Sequence, residues 1–199
     1  MIQQYGSGSV RPSLSYPTYY AHISPVPSGN TMQVFAGHES PVQAGEFTPD
    51  GKRIVTADEM GSLIMWDPRS PTPVWKLTAA DGRFALGDGG ITALAINPSS
   101  TLAVVGGASG GVRVVNLAKG TVVGALEGHE AGESVEAVTF VEFGADANVG
   151  QGSGVVATGG TDGKICVWDL AIMKLRTTLE HKVRFYQFLT ILLLTRVDP

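Results

Sequence analysis

The sequence has very few of the residues that build disulfide frameworks or metal sites. Its 199 residues include one cysteine, Cys166, and four histidines, at positions 22, 38, 129 and 181. A single cysteine excludes an internal disulfide framework and a multi-cysteine zinc site. The histidines are too widely separated for their spacing to indicate a metal cluster. We therefore predict no cofactor and no metal, and a reducing compartment: the cytoplasm, with the nucleus as the alternative.

Charged residues are also scarce, at 16% of the chain against about 25% in an average globular protein. The formal net charge is −4, whereas sequence-independent binding to nucleic acid depends on clustered Lys and Arg. The most apolar run, 188–194, has seven residues, and a helix that crosses a bilayer needs about 20. The N-terminal residues lack the apolar core of a signal peptide. We expect neither a direct nucleic-acid partner nor a membrane partner.

What the sequence does contain is an internal repeat. The segment 42–67, VQAGEFTPDGKRIVTADEMGSLIMWD, aligns without a gap with 91–116, ITALAINPSSTLAVVGGASGGVRVVN, at an offset of 49. A third copy begins at an offset of 93 and ends, in ATGGTDGKICVWDL, at an offset of 102. The difference is an insertion of nine residues in the stretch FGADANVGQGSG. Repeats of this length are typical of solenoids and propellers.

Each copy consists of short β-branched segments separated by turn sequences. In the first copy, 42–47, 53–56 and 63–66 are separated by Pro-Asp-Gly and Glu-Met-Gly, and such residues favour turns. A fourth segment follows each copy, and no window shows the 3.6-residue period of a helix. Four short antiparallel strands per unit describe a propeller blade. We predict an all-β fold, an open partial β-propeller of about three four-stranded blades, with copies at about 37–77, 86–126 and 128–179.

Two of the copies carry the same pair of dipeptides at matching places. These are Gly37-His38 with Trp66-Asp67, and Gly128-His129 with Trp168-Asp169. Around this strand pattern the dipeptides resemble the signature of the WD-repeat family. The resemblance implies a hydrogen-bonded tetrad of His, Ser or Thr, Asp and Trp that ties the strands of one blade together. In the third copy the tetrad positions hold His129, Thr158, Asp162 and Trp168.

The tetrad is less complete in the other two copies. The first copy has His38, Thr56 and Trp66, but Met60 stands at the position of the Asp, with Asp58 or Glu59 as imperfect substitutes. In the second copy the four positions hold Gly87, Val105, Ser109 and Val115, so we expect that blade to depend on packing alone. Because buried polar groups must be hydrogen-bonded, we interpret the tetrad as structural.

A catalytic interpretation of the same residues is the alternative. His129, Asp162 and Thr158 have the residue types of a hydrolase triad. However, the sequence contains no P-loop, HExxH, GxSxG or dinucleotide-binding glycine pattern. The glycine-rich run 106–111 lies between two predicted strands and opens no helix, so we do not expect it to bind phosphate. We predict that the chain is not an enzyme and has no small-molecule substrate.

A closer resemblance covers about 26–182. GEFTPDGK, VGGASGGVRVVNL and GVVATGGTDGKICVWDL are similar to one WD-repeat branch, the fungal large-subunit ribosome-assembly chaperones and the animal angio-associated migratory cell proteins. The resemblance implies a non-catalytic scaffold of about eight blades. In the fungal members, an acidic propeller face holds a basic N-terminal segment of a newly made large-subunit ribosomal protein.

An acidic stretch in the third copy fits such a face. From 120 to 163 there are seven acidic residues and no Lys or Arg. Loop connectivity predicts that Glu127, Glu130 and Glu133 share a rim with the Asp-Gly turns, and that Glu142 and Asp146 lie on the opposite rim. The predicted partner is a basic segment, most specifically of a large-subunit ribosomal protein. The alternatives are an ordinary solvated acidic loop, a generic WD-repeat adaptor in signalling or ubiquitin ligation, and an inactive fragment of a larger propeller.

Both ends of the chain depart from the family pattern. We interpret 1–26 as an irregular non-family segment, 27–182 as the WD-repeat blades and 183–199 as a non-family tail. Three copies cannot close a ring of seven or eight blades, so we expect an open arc. Codons for Lys182-Val183-Arg184 can resemble a splice donor, so one hypothesis for the tail is a retained intron. The alternative is a divergent terminal strand or short helix.

Overall fold

The computed structural model of the chain describes residues 2–5, 19–23, 33–86, 89–141 and 154–180. Within these ranges the regular secondary structure consists of β-strands, without a helix. The strands are β1 (Ile2–Tyr5), β2 (Tyr19–Ile23), β3 (Gln33–His38), β4 (Val42–Phe47), β5 (Ile54–Asp58), β6 (Leu63–Trp66), β7 (Pro73–Leu77), β8 (Ile91–Ile96), β9 (Leu102–Gly107), β10 (Val112–Asn116), β11 (Thr121–Leu126), β12 (Val135–Phe140), β13 (Val155–Gly160), β14 (Lys164–Asp169) and β15 (Lys174–Glu180).

Twelve of these strands form three four-stranded antiparallel sheets. The strand orders are β4-β5-β6-β7, β8-β9-β10-β11 and β12-β13-β14-β15, so each sheet is a simple meander. We call them blade one, blade two and blade three. The all-β fold, with about three four-stranded blades of an open propeller, is confirmed.

The interpretation of residues 1–26 as irregular is wrong for two segments. Residues 2–5 and 19–23 form β1 and β2, which pair with β3 in a three-stranded sheet of order β1-β2-β3. Residues 1–26 were predicted to be irregular because no Trp-Asp unit precedes Gly37. Strand pairing, however, is made by backbone N–H and C=O groups, and the Tyr19-Tyr20 pair favours a strand.

The same turn is built in each blade by a glycine at the same repeat position. Gly61, Gly110 and Gly163 have φ of 82°, 84° and 76° in the turns β5–β6, β9–β10 and β13–β14. This left-handed conformation is open to glycine at low cost and strained for most other residues. These three turns, with the loops that lead into β4, β8 and β12, form one edge of the blades, which we call the upper rim.

Apolar side chains fill the spaces between neighbouring sheets. One cluster joins blade one to blade two and includes Leu63, Met65, Ile91 and Val105. A second cluster joins blade two to blade three and includes Val112, Val114, Val156 and Trp168. Phe35 of β3 packs with Ile54, Ile64 and Trp66, which attaches the three-stranded sheet to blade one.

Several predictions from the sequence lie outside the described residues. They concern Gly87, the two acidic residues of the insertion (Glu142 and Asp146) and the tail 183–199 with its retained-intron hypothesis.

Candidate functional site

A continuous hydrogen-bonded network crosses blade three. Trp168 Nε1 donates to Thr158 Oγ1 at 2.9 Å, and Thr158 Oγ1 lies 2.7 Å from His129 Nε2. His129 Nδ1 lies 2.9 Å from an oxygen of Asp162. β13 and β14 supply the Thr and Trp, while the loop before β12 and the β13–β14 turn supply the His and Asp. The structure thus brings together the four residues predicted for this copy.

The ionised carboxylate of Asp162 sets the direction of its hydrogen bond with His129. Burial acts to raise the pKa of the Asp162 carboxyl, but hydrogen bonds from the backbone N–H groups of Lys164 and Glu130 and from His129 outweigh it, so the pKa lies below its usual value. An ionised carboxylate only accepts, so Nδ1 of His129 carries a proton. Where Nδ1 carries the only ring proton, Nε2 accepts from the hydroxyl of Thr158.

Blade one contains the equivalent network with the carboxylate at another position. Trp66 Nε1 donates to Thr56 Oγ1 at 2.8 Å, and Thr56 Oγ1 lies 2.6 Å from His38 Nε2. Asp58 completes the set, with Oδ2 at 2.8 Å from His38 Nδ1 and its side chain fully buried. The expectation that Asp58 is an imperfect substitute is therefore wrong, because its contact with the His matches that of Asp162.

Space beside the histidine explains why two positions can supply this carboxylate. At the repeat offset of 102, Asp58 corresponds to Gly160 and Met60 to Asp162. A Cβ at Gly160 would lie 2.7 Å from both Asp162 Oδ1 and His129 Nδ1. The carboxylate of Asp162 thus lies where a side chain at 160 would be, and in blade one Asp58 occupies that space directly.

The second blade replaces the network by apolar packing. Val105 and Val115, which stand at the Thr and Trp positions, are fully buried between blades one and two. Phe84 and Leu86, from the loop before β8, pack into the same cluster. The guanidinium of Arg113 donates to the carbonyls of residues 83 and 85, which holds this loop in place. Neither the packing of Phe84 and Leu86 nor the hydrogen bonds of Arg113 were predicted from the sequence.

The environment of the threonine disfavours the catalytic interpretation. Thr158 is only 1% exposed, and its hydroxyl oxygen already contacts both Trp168 and His129. A nucleophile must reach substrate, and this hydroxyl is buried between the side chains of Trp168 and His129. Blade one repeats the arrangement at Thr56, which is fully buried. Both networks therefore have the geometry of internal strand ties.

No group of three or more His, Cys, Asp or Glu side chains in the described ranges has a geometry suited to a metal ion. Nor do these ranges contain a helix long and apolar enough to cross a bilayer.

The predicted acidic residues lie on the loop between β11 and β12, on the upper rim. Glu127 and Glu130 are exposed, and Glu133 is half-buried. Glu133 accepts a hydrogen bond from the hydroxyl of Thr161 at 2.6 Å, and the backbone N–H of Glu130 donates to Asp162 at 3.1 Å. The loop is therefore fastened to the β13–β14 turn at Glu130 and at Glu133.

One lysine partly offsets the acidic charge of this loop. Lys164, directly after the stretch that lacks Lys and Arg, places Nζ 2.9 Å from Glu130 Oε1. The hydrogen bond to Glu130 is the main cause of a raised pKa at Lys164. Lys164 lies one residue beyond the stretch 120–163 that was considered in the sequence, so this ion pair was not predicted.

The upper rim is continuous from blade one to blade three. A Cβ at Gly90 would lie 1.9 Å from the carbonyl oxygen of Glu59, so the loop before β8 lies directly on the β5–β6 turn. A Cβ at Gly110 would lie 2.5 Å from the carbonyl oxygen of Glu130 in the same way. Each turn thus contacts the loop of the next blade, and the three blades present one connected surface.

Comparison with known proteins identifies the type of repeat. The family model of the WD domain, G-beta repeat, matches residues 29–67 and 120–169, which contain the two hydrogen-bonded networks. An uncharacterised WD repeat-containing protein of Schizosaccharomyces pombe is 34% identical over 163 residues, 79% of this chain and 38% of that protein. The human angio-associated migratory cell protein is 28% identical over 177 residues, 82% of this chain and 38% of that protein.

A solved structure shows the same arrangement of blades. The crystal structure of Chaetomium thermophilum Sqt1 bound to the N-terminus of the ribosomal protein L10 is 27% identical to this chain, with a TM-score of 0.66. The alignment covers 83% of this chain and 44% of the Sqt1 chain. The chain therefore spans less than half the length of these relatives.

Proposed function

Because the chain is a WD40-repeat protein whose described sheets are propeller blades, we propose that it is a non-catalytic scaffold that captures a basic protein segment on its upper rim. The specific partner that we propose is a large-subunit ribosomal protein. The chain would then act as a cytoplasmic chaperone in ribosome biogenesis.

The observation that carries this proposal is the placement of Glu127, Glu130 and Glu133 on one fixed loop. The backbone N–H of Glu130 donates to Asp162 and the carboxylate of Glu133 accepts from Thr161, which fastens the loop to the β13–β14 turn. A fixed array of like charges attracts a cationic segment without a further cost of ordering the loop. The array also orients the bound segment, because the electrostatic attraction of a basic segment is strongest where the carboxylates are densest.

The charge balance of the rim supports a preference for the blade-three sector. In blade three Lys164 opposes the three glutamates of the loop, which leaves net negative charge. In blade one Glu59 is exposed, and Glu39 pairs with Lys76 at 3.1 Å. Blade two contributes Asp81, Asp88, Arg83 and Arg113 by sequence, so the charges of its sector balance. A basic segment is therefore expected to bind over blades one and three.

The relatives support the class of partner. The Sqt1 structure contains the N-terminus of the ribosomal protein L10. Its alignment covers 83% of this chain. The likeness places a ribosomal-protein segment first among basic partners to be tested.

Titration of a labelled peptide with the full chain tests the proposal. The probe is a synthetic peptide that matches the N-terminus of ribosomal protein L10. We expect Glu127→Gln to weaken binding about threefold to tenfold at low salt, and the difference to shrink as salt rises. The control is Thr121→Lys, which changes the net charge by the same amount at an exposed site at the opposite edge of blade two.

Two results would overturn the proposal. One is equal affinity of the Glu127→Gln variant and the unmodified chain at low salt. The other is an equal loss of affinity in both variants, which would mean that net charge alone and not the rim governs binding. Binding that is insensitive to salt would favour the generic adaptor instead.

A further inference from the structure

The change of carboxylate position in blade one has a consequence at the surface. In blade three the turn residue at this position, Asp162, is buried in the network. In blade one Asp58 takes that role, and Met60 is released from the interior. Met60 is 68% exposed, the most exposed large apolar side chain in the described ranges.

The backbone of this methionine is fixed although its side chain is free. Met60 N–H donates to Asp58 Oδ1 at 3.1 Å and lies 3.2 Å from Ser40 Oγ. The neighbouring Ser62 N–H donates to the same Asp58 oxygen at 2.7 Å. A bound partner would therefore not pay the cost of ordering this turn, and the flexible thioether can adapt to the shape of a partner group.

Methionine is an unusual residue at an exposed position of a tight turn such as β5–β6. Turn positions are commonly Gly, Asn, Asp or Ser, and the burial of a methionine side chain is favourable. Met60 gains little of that stabilisation from the described residues, because most of its surface is exposed. The adjacent Glu59 is exposed, and Glu39 carries a second carboxylate on the same sector of the rim.

We propose that Met60 is an apolar contact of the partner-binding rim, so that the rim selects a basic segment carrying an apolar side chain among its Lys and Arg residues. The acidic neighbours make the partner cationic by charge complementarity, and Met60 adds the requirement for an apolar group. This inference rests on the proposed function and names a specificity determinant for the same surface.

Two peptides and matched variants of the full chain test the inference. The first peptide matches the N-terminus of ribosomal protein L10, and the second has its apolar residues replaced by Ser at unchanged charge. We expect Met60→Ala to weaken binding of the first peptide about tenfold and to leave the second unaffected. Met60→Leu should retain affinity. The control Ile172→Ala removes an equally exposed side chain from the β14–β15 turn, on the opposite edge, and should change nothing.

The outcomes separate this inference from the proposal that underlies it. If Glu127→Gln weakens binding while Met60→Ala does not, the role of Met60 is overturned and the acidic rim stands. If the unmodified chain binds neither peptide, both are overturned. A Met60→Ala loss that is equal for the two peptides also overturns the apolar selection, because the second peptide offers no apolar group.

Discussion

Asp58 and Asp162 bring a carboxylate to the same place beside a buried histidine from positions two residues apart in the repeat. The Asp oxygen lies 2.8 Å from His38 Nδ1 in blade one and 2.9 Å from His129 Nδ1 in blade three. The carboxylate is thus a requirement of the network, whereas its place in the sequence is not. A position-by-position motif identifies only one of the two solutions.

An exchange of the two solutions in blade one tests this equivalence. Asp58→Gly should lower the free energy of unfolding by about 3 kcal/mol, because it leaves a buried imidazole without its partner. Adding Met60→Asp should recover half or more of that loss by recreating the arrangement of blade three. The readout is urea denaturation of the four members of a double-mutant cycle, with an expected coupling of about 1–2 kcal/mol.

The matched control for the exchange is Met60→Ala in the Asp58→Gly background. It removes the same exposed side chain but supplies no carboxylate, so no recovery is expected. Recovery by Met60→Ala, or additive effects throughout the cycle, would contradict the equivalence of the two aspartates.

Substitution of Thr158 by Val separates a structural network from a catalytic one. Val has nearly the same shape, so the loss is confined to the hydroxyl between Trp168 Nε1 and His129 Nε2. Two buried polar groups lose a partner, which should cost about 2–4 kcal/mol of unfolding free energy. Thr121→Val at an exposed strand start is the control and should stay within about 0.5 kcal/mol. A stable Thr158→Val variant that has lost a hydrolase activity would contradict the structural interpretation.

The repeat arithmetic predicted most of the architecture because it depends on local patterns. Strands β4 and β6 have the bounds that the alternation of β-branched segments and turns predicts, and β7 and β11 end at 77 and 126, where the predicted copies end. Gly61, Gly110 and Gly163 adopt the positive φ that these turns require. Because glycine adopts this conformation at low cost, its position in the sequence indicates the turn.

What sequence reasoning missed are contacts between residues that are distant in the chain. Arg113 holds a loop 28 residues earlier, and Lys164 pairs with a glutamate 34 residues earlier. The role of Asp58 depends on space around His38, which no alignment offset encodes. Strand β2 was not predicted because no Trp-Asp unit precedes Gly37, whereas a strand is defined by backbone pairing.

Acid should weaken blade one through the carboxyl of Asp58. Burial acts to raise its pKa, but hydrogen bonds from His38 and from the backbone N–H of Ser62 outweigh it, so the folded pKa lies below the usual value. The stabilisation is therefore present above about pH 4, the usual pKa of an unfolded Asp, and is lost as the pH falls through the folded pKa. Asp58→Asn should be less stable near pH 7 and show a smaller decline in acid.

The measurement is urea denaturation of both proteins at intervals between pH 7 and pH 3. Because other carboxyls titrate in both proteins, the informative quantity is the difference in unfolding free energy between them. That difference should narrow as the pH falls. A constant difference over this range would show that Asp58 is not held in its ionised form.

Removal of the lysine that opposes the acidic loop should strengthen binding of a basic peptide. Lys164→Gln frees the carboxylate of Glu130, whose side chain is 60% exposed, and makes the rim more negative by one charge. Affinity for the L10 N-terminal peptide should rise about twofold to fivefold at low salt. Lys119→Gln makes the same charge change in the turn between β10 and β11, on the opposite edge, and should leave affinity unchanged. Weaker binding by Lys164→Gln would mean that the lysine itself contacts the partner, and the acidic loop would lose its assigned role.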